Sequence, residues 1–106
     1  MAEGDVEERT TAATDAKRAV FISYASQDAA VATTVVDALE HSGIACWIAP
    51  RDVMPGAFYA DEIVHAIDAA KAIVLVLSQN AADSQHVLRE VERAASKRHP
   101  VISLRV

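Results

Sequence analysis

The chain is short of most residues that force a special architecture. It has one cysteine, Cys46, so no intramolecular disulfide can staple it. A reducing compartment is the simplest setting, and apolar neighbours mark Cys46 as a small buried hydrophobe. Aromatic residues make up only 5% of the sequence, so a core must come from Ala, Val, Ile and Leu. There are three glycines, and none makes a phosphate-cradling glycine turn after a strand. A conventional dinucleotide-binding fold is therefore not supported. No apolar run approaches the roughly 20 residues that cross a bilayer, so no membrane association is expected. The acidic opening Met1-Ala2-Glu3-Gly4-Asp5 is not a secretory signal, and the expected location is cytoplasmic. Cations are scarce as well: 10 Lys and Arg face 15 Asp and Glu, for a net charge of −5. That argues against a nucleic-acid partner, whose phosphates call for a basic patch. His41, His65, His86 and His99 are scattered without ligand spacing or a cysteine cluster, so no metal site is expected.

What is present is apolar bulk, 52% of 106 residues, enough for one small domain. Residues 1–17 are acidic and nearly devoid of large apolar side chains. They read as a flexible leader with a transient helix near Ala12–Lys17. Thereafter short apolar runs alternate with amphipathic stretches. Ala19-Val20-Phe21-Ile22 reads as a strand buried on both faces. Ser26 is positioned to cap the next helix, with Asp28 in its first turn. Val31, Val35 and Leu39 mark that helix's buried stripe, and Gly43 its end. Ile44–Ile48 is a second strand. Pro50 through Gly56 is a loop, because two prolines and a glycine exclude a helix interior. Ile63, Ile67 and Ala70 mark a second helix, and Ala72–Leu77 a central strand. Asp83 or Ser84 caps a third helix, with Val87, Val91 and Ala94 inward. Pro100–Leu104 is a fourth strand. The order β-α-β-α-β-α-β with short connections implies a parallel sheet covered by helices on both faces. The apolar last strand would need cover, either from a partner or from further chain.

Three segments fall where a strand ends and a polar turn or helix begins. They are Phe21-Ile22-Ser23-Tyr24-Ala25-Ser26-Gln27-Asp28, Arg51-Asp52-Val53-Met54-Pro55-Gly56, and Ser84-Gln85-His86-Val87-Leu88-Arg89-Glu90. In an open α/β sheet that edge is where ligands bind. Glu90 lies about 60° from Val87 and about 100° from Val91 on a helix, at the flank of the buried stripe. Glu92 points away and is expected to face solvent. A receiver domain does not fit, because the central strands end in Tyr24 and Ser78 rather than in a phosphoacceptor aspartate.

These segments resemble, in order and spacing, the three sequence boxes of the Toll/interleukin-1 receptor (TIR) domain in its bacterial form. Phe21-Ile22-Ser23-Tyr24 with Gln27-Asp28 is similar to the first box. Trp47-Ile48 leading into Arg51-Asp52 and Pro55-Gly56 is similar to the second, whose loop is called BB. Ser78, Ser84 and Glu90 resemble the third. The resemblance covers roughly residues 19–106 and implies a flavodoxin-like α/β domain over 18–106. Its sheet would contain four visible strands in the order 2-1-3-4. The family continues through a further helix, strand and helix, so this domain is C-terminally incomplete by comparison. A downstream sensor or effector domain is expected. The family usually places a tryptophan four residues before the helix glutamate, where this chain has His86.

The resemblance implies one of two roles. Many members cleave NAD+ at the nicotinamide–ribose bond, and others are adaptors that self-associate without catalysis. The first role makes NAD+ a substrate, requires no cofactor, and assigns catalysis to Glu90. Substrate contacts are then expected from Ser23, Tyr24, Gly56, Phe58, Ser84 and His86. Arg51, Asp52, Pro55 and Gly56 are expected to form a self-association loop. Each residue also has a plainer reading. Tyr24 can cap the core edge, Gly56 can simply make a turn, and Phe58 is either a core residue of its helix or a loop aromatic. Arg51 and Asp52 pair with each other or with a neighbouring protomer, and Trp47 packs in the core. One carboxylate suffices for the chemistry, since nicotinamide leaves neutral and only the ribosyl cation needs an anion. Ordinary glycosidases need two.

Overall fold

The computed structural model describes residues 19–106, and the acidic leader expected over 1–17, with its helix near Ala12–Lys17, lies outside them. The described chain runs β1 (Val20–Ser23), a 3-10 turn (Ser26–Asp28), α1 (Ala29–His41), β2 (Cys46–Trp47), α2 (Tyr59–Ala69) and β3 (Ala72–Leu77). It continues through a short α3 (Gln79–Ala82), α4 (Gln85–Ser96) and β4 (Val101–Arg105). The four strands form one parallel sheet, as expected from the alternation, in the order β2-β1-β3-β4 that the family resemblance implies. The order reverses direction between β1 and β3, which makes their carboxyl ends the place for a ligand.

Strand alternation divides the core into two layers. Phe21, Trp47 and Ile73 face α2 and α4, packing with Ile63, Ile67 and Ala94. Ile22, Cys46, Val74 and Val76 face α1 and its Ala32 and Val36. Ser23 follows Phe21 by two residues, so it shares the α4 face. Trp47 is core: it is 3% exposed and stacks on Phe21 with ring centroids 5.3 Å apart. Cys46 is buried, and desolvation first, then Glu40, pushes its thiol up to about 11. It is a packed hydrophobe rather than a nucleophile.

Several local expectations are corrected. The buried stripe of α1 is Ala32 and Val36, with Val35 and Leu39 at its margin and Val31 exposed. The helix turns its small Ala32 to the sheet beside Val36, which permits close approach and leaves Val31 outward. Ser26 does not cap α1. It opens the 3-10 turn, and Asp28 stands at the N-cap position with no side-chain capping bond. The Asp28 carboxylate is occupied elsewhere, accepting from the Ser78 hydroxyl and from Asn80 Nδ2 at 3.1 Å. The second strand is shorter than Ile44–Ile48, because only Cys46 and Trp47 pair with β1. Pro100 precedes β4 and contributes only its carbonyl, which accepts from the Ile73 N–H. Gly43 ends α1 as expected, at φ +88, with its N–H on the Glu40 carbonyl and the Ile44 N–H on that of Leu39.

Candidate functional site

Helix α4 sets the site. Its N-cap is Ser84, whose hydroxyl accepts the Val87 N–H at 3.1 Å. That leaves Asp83 outside the cap and fixes the first turn over the β1 and β3 ends. Val87, Glu90 and Ala94 are the buried residues of the helix. Glu90 is therefore within the stripe and not on its flank, a correction to the helical-wheel reading. It is 6% exposed, and Glu92 faces solvent as expected.

A buried carboxylate needs partners. Ser23, fully buried at the end of β1, donates from Oγ to Glu90 Oε1 at 2.8 Å. His86, one helical turn earlier, brings Nε2 to 2.8 Å from Glu90 Oε2. Burial dominates nonetheless, pushing the Glu90 carboxyl up to about 7 against the smaller, lowering effect of the Ser23 hydroxyl. The Tyr24 hydroxyl donates to the Ala49 carbonyl and joins the β1 end to the loop after β2. Its pKa is raised, first by burial, then by Tyr59 and Glu90.

Tyr24, Ser26, Ala49, Tyr59, His86 and Glu90 enclose a cavity of about 90 Å³. Beside it is a second, larger cavity of about 420 Å³, lined by Ser26, Gln27, Asn80, Asp83, Ser84 and His86. Ser26 and His86 belong to both. The fold thus brings together Ser23, Tyr24, His86 and Glu90, with Ser84 beside the outer cavity. Ser78 is not in this group, being held by Asp28 and by the Ala81 N–H it accepts.

Gly56 and Phe58 are outside both cavities. Gly56 makes a turn at φ +82, and Phe58 is an 80% exposed loop aromatic at the N-cap of α2. Arg51 is tied down within its own chain. It forks onto Glu40 at 3.0 and 2.9 Å, reaches Asp52 at 2.8 Å, and donates to the Cys46 carbonyl at 2.8 Å. Asp52 in turn accepts the Ile48 N–H at 2.9 Å. These charges close the base of the loop, and Pro55 and Gly56 lie exposed near its tip. Sequence reading missed Tyr59, Ser26 and the Ala49 carbonyl. Tyr59 adjoins Phe58, and no periodic signal tells which of two adjacent aromatics at a helix start turns inward.

Among the described residues no helix is long and apolar enough to cross a membrane. A family profile described as "TIR domain" matches residues 20–106. The stimulator of interferon genes protein of Magallana gigas is 36% identical over 80 residues, covering 74% of this chain and 19% of that protein. The chain therefore spans about a fifth of the length of that curated relative. The TIR domain of the Toll-related receptor TRR-2 from Hydra magnipapillata superposes with a TM-score of 0.73 at 30% identity, covering 81% of this chain and 68% of that one. The metazoan TIR-STING receptor from C. gigas gives 0.71 at 28% identity, covering 84% and 31%. The TIR domains of the activated Roq1 resistosome give 0.72 at 23% identity, covering 81% and 55%, a likeness of fold alone.

Proposed function

The chain belongs to the TIR-domain family, and from that membership together with its buried carboxylate we propose that it cleaves NAD+ at the nicotinamide–ribose bond. The products are nicotinamide and ADP-ribose or a cyclised form. The single observation that carries this reading is Glu90, 6% exposed and held by Ser23 and His86 against a cavity at the sheet's switch point. As nicotinamide departs it takes the bonding electron pair, and positive charge grows on the ribose. A desolvated carboxylate stabilises that charge far more than a solvated one. Ser23 fixes one oxygen, so the carboxylate need not reorganise. Tyr24 and Tyr59 offer aromatic surfaces for a flat ring. A role in bacterial cell-suicide immunity, triggered by self-association, accords with the bacterial form that the three boxes resemble.

The other reading is a non-catalytic TIR–TIR interaction module. It draws support from His86 in place of the family's tryptophan and from a Glu90 cavity of only about 90 Å³. One experiment separates the two. The full chain is incubated with NAD+ at concentrations that drive self-association, and free nicotinamide is measured. Catalysis predicts release by the wild type and a fall of about 10²–10³ in Glu90→Gln, as for loss of one preorganised electrostatic group. Glu92→Gln is the internal control and stays near wild type. Equal release by wild type and Glu90→Gln removes Glu90 from the mechanism, and no release by wild type favours the interaction module.

A further inference from the structure

We propose that Asp52 is a positioning residue for the cleavage site, holding the Tyr24 ring at the Glu90 cavity by way of the Ala49 carbonyl. The proposal rests on the NAD+-cleavage reading. It moves Asp52 from the self-association role that the family resemblance implies to the site itself.

The reason begins where β2 stops. Its register with β1 ends at Trp47, so strand pairing does not hold Ile48 and Ala49. Asp52 holds them instead. Its carboxylate accepts the Ile48 N–H at 2.9 Å, and its own N–H donates to the Ile48 carbonyl at 2.9 Å. One residue thus takes both backbone groups of Ile48 and fixes the peptide that leads into Ala49. The carboxylate is itself held. Arg51 reaches it at 2.8 Å while binding the Cys46 carbonyl at 2.8 Å and Glu40 at 3.0 and 2.9 Å. The Asp52 side chain is 15% exposed, so water competes poorly for the Ile48 N–H.

The Ala49 carbonyl, placed in this way, accepts from the Tyr24 hydroxyl. At its other end Tyr24 follows directly on β1, whose last residue, Ser23, donates to Glu90. The ring therefore runs from the strand that holds the catalytic carboxylate to the turn that Asp52 closes. Tyr24, Ala49 and Glu90 line the same cavity of about 90 Å³. Burial, then Tyr59 and Glu90, raise the Tyr24 pKa, so the hydroxyl keeps its proton and remains a donor to Ala49. Without that anchor the ring is fixed only through its own backbone and is free to change rotamer. A flat substrate ring resting on it then loses its alignment with Glu90, and alignment governs the rate.

The test is a double-mutant cycle on the full chain. It measures kcat/KM for nicotinamide release from NAD+ over a series of protein concentrations reaching saturated self-association. The variants are Asp52→Ala, Tyr24→Phe and the two combined. Each single variant should fall about 10-fold, short of the roughly 10²-fold cost of a misplacement of about 1 Å. The combined variant should be no slower than either single one, because both changes break the same chain of contacts. Asp52→Asn keeps an acceptor for the Ile48 N–H and should recover most of the loss. If Asp52→Ala does not fold, Asp52→Glu carries the same cycle, since one extra methylene moves the carboxylate off the Ile48 N–H. Losses that multiply in the combined variant overturn the proposal and leave the cleavage reading intact. So does an Asp52→Asn as slow as Asp52→Ala, or an Asp52→Ala as fast as wild type. If rising protein concentration restores Asp52→Ala to the wild-type rate, Asp52 serves assembly and the proposal fails. A wild type that releases no nicotinamide removes the cleavage reading, and this proposal with it.

Discussion

Glu90 loses its hydration on folding, accepts one hydrogen bond, from Ser23, and has His86 Nε2 2.8 Å from its other oxygen. The exchange is unfavourable for the charged form, since the carboxyl moves from an ordinary 4.5 to about 7. The sign for stability follows from proton binding. Below about pH 4.5 the carboxyl is protonated both folded and unfolded, and burial carries no charge penalty. As pH rises towards about 7 the unfolded state has already ionised, and the folded state must then bear a buried anion. Glu90 therefore destabilises the native state progressively across that window, by about 3 kcal/mol once both states are ionised. Glu90→Gln is expected to melt higher than wild type at pH 8 and at nearly the same temperature at pH 4. Thermal melts at the two pH values check this, and a variant less stable at pH 8 would show that Glu90 is not a desolvated anion. Activity should run the other way. If the anion is the working form, kcat/KM for nicotinamide release rises with pH to a plateau above about 7. The residue's identity was legible in the sequence, but its burial was not. A helical wheel counts any Glu as polar, and the partner that lets it turn inward, Ser23, is 67 positions away in the chain.

Helices and strands were legible where local chemistry and periodicity agree. The apolar run Ala72–Leu77 is β3 without adjustment, and Gly43 ends α1 where its left-handed conformation is needed. Elements were misread where a polar side chain serves a distant segment. Asp28 looks like a first-turn acid, yet its carboxylate binds Ser78 and Asn80 across the sheet end. Ser78 looks like the close of a strand, yet it also caps the short helix Gln79–Ala82 by accepting the Ala81 N–H at 3.0 Å. Ser84 is the case where local and tertiary roles coincide. It caps α4 and so fixes the turn that carries His86 and, one turn later, Glu90. Ser84→Ala should cost about 1 kcal/mol, the usual value of a lost N-cap. In a domain of this size that lowers the melting temperature by roughly 4–8 °C. Thermal denaturation reads it directly, and no measurable shift would mean that solvent replaces the cap at this helix end.

At the scale of the whole molecule, the β/α alternation and its short connections imply a parallel sheet, the family resemblance implies its 2-1-3-4 order, and that order puts the site between β1 and β3. The alternation says nothing about surfaces. Here the loop after β2 stands out. Its base is closed by the Glu40–Arg51–Asp52 network, and its outer part presents Met54 at 58% and Phe58 at 80% exposure. Apolar side chains held out by a braced loop fit a surface used between protomers. Gly56 is a poor probe of that use. Its φ of +82 strains any L-residue, although a Cβ there would meet nothing within 4 Å. Phe58→Ser is cleaner, because an 80% exposed ring contributes little to the monomer's fold. The expected outcome is an unchanged monomer, within about 0.5 kcal/mol of wild type in stability, with weakened self-association in sedimentation. Nicotinamide release per protomer should then fall at dilute protein and recover as concentration rises. If Phe58→Ser unfolds the domain, the ring is structural. If it self-associates like wild type, the protomers meet through another face.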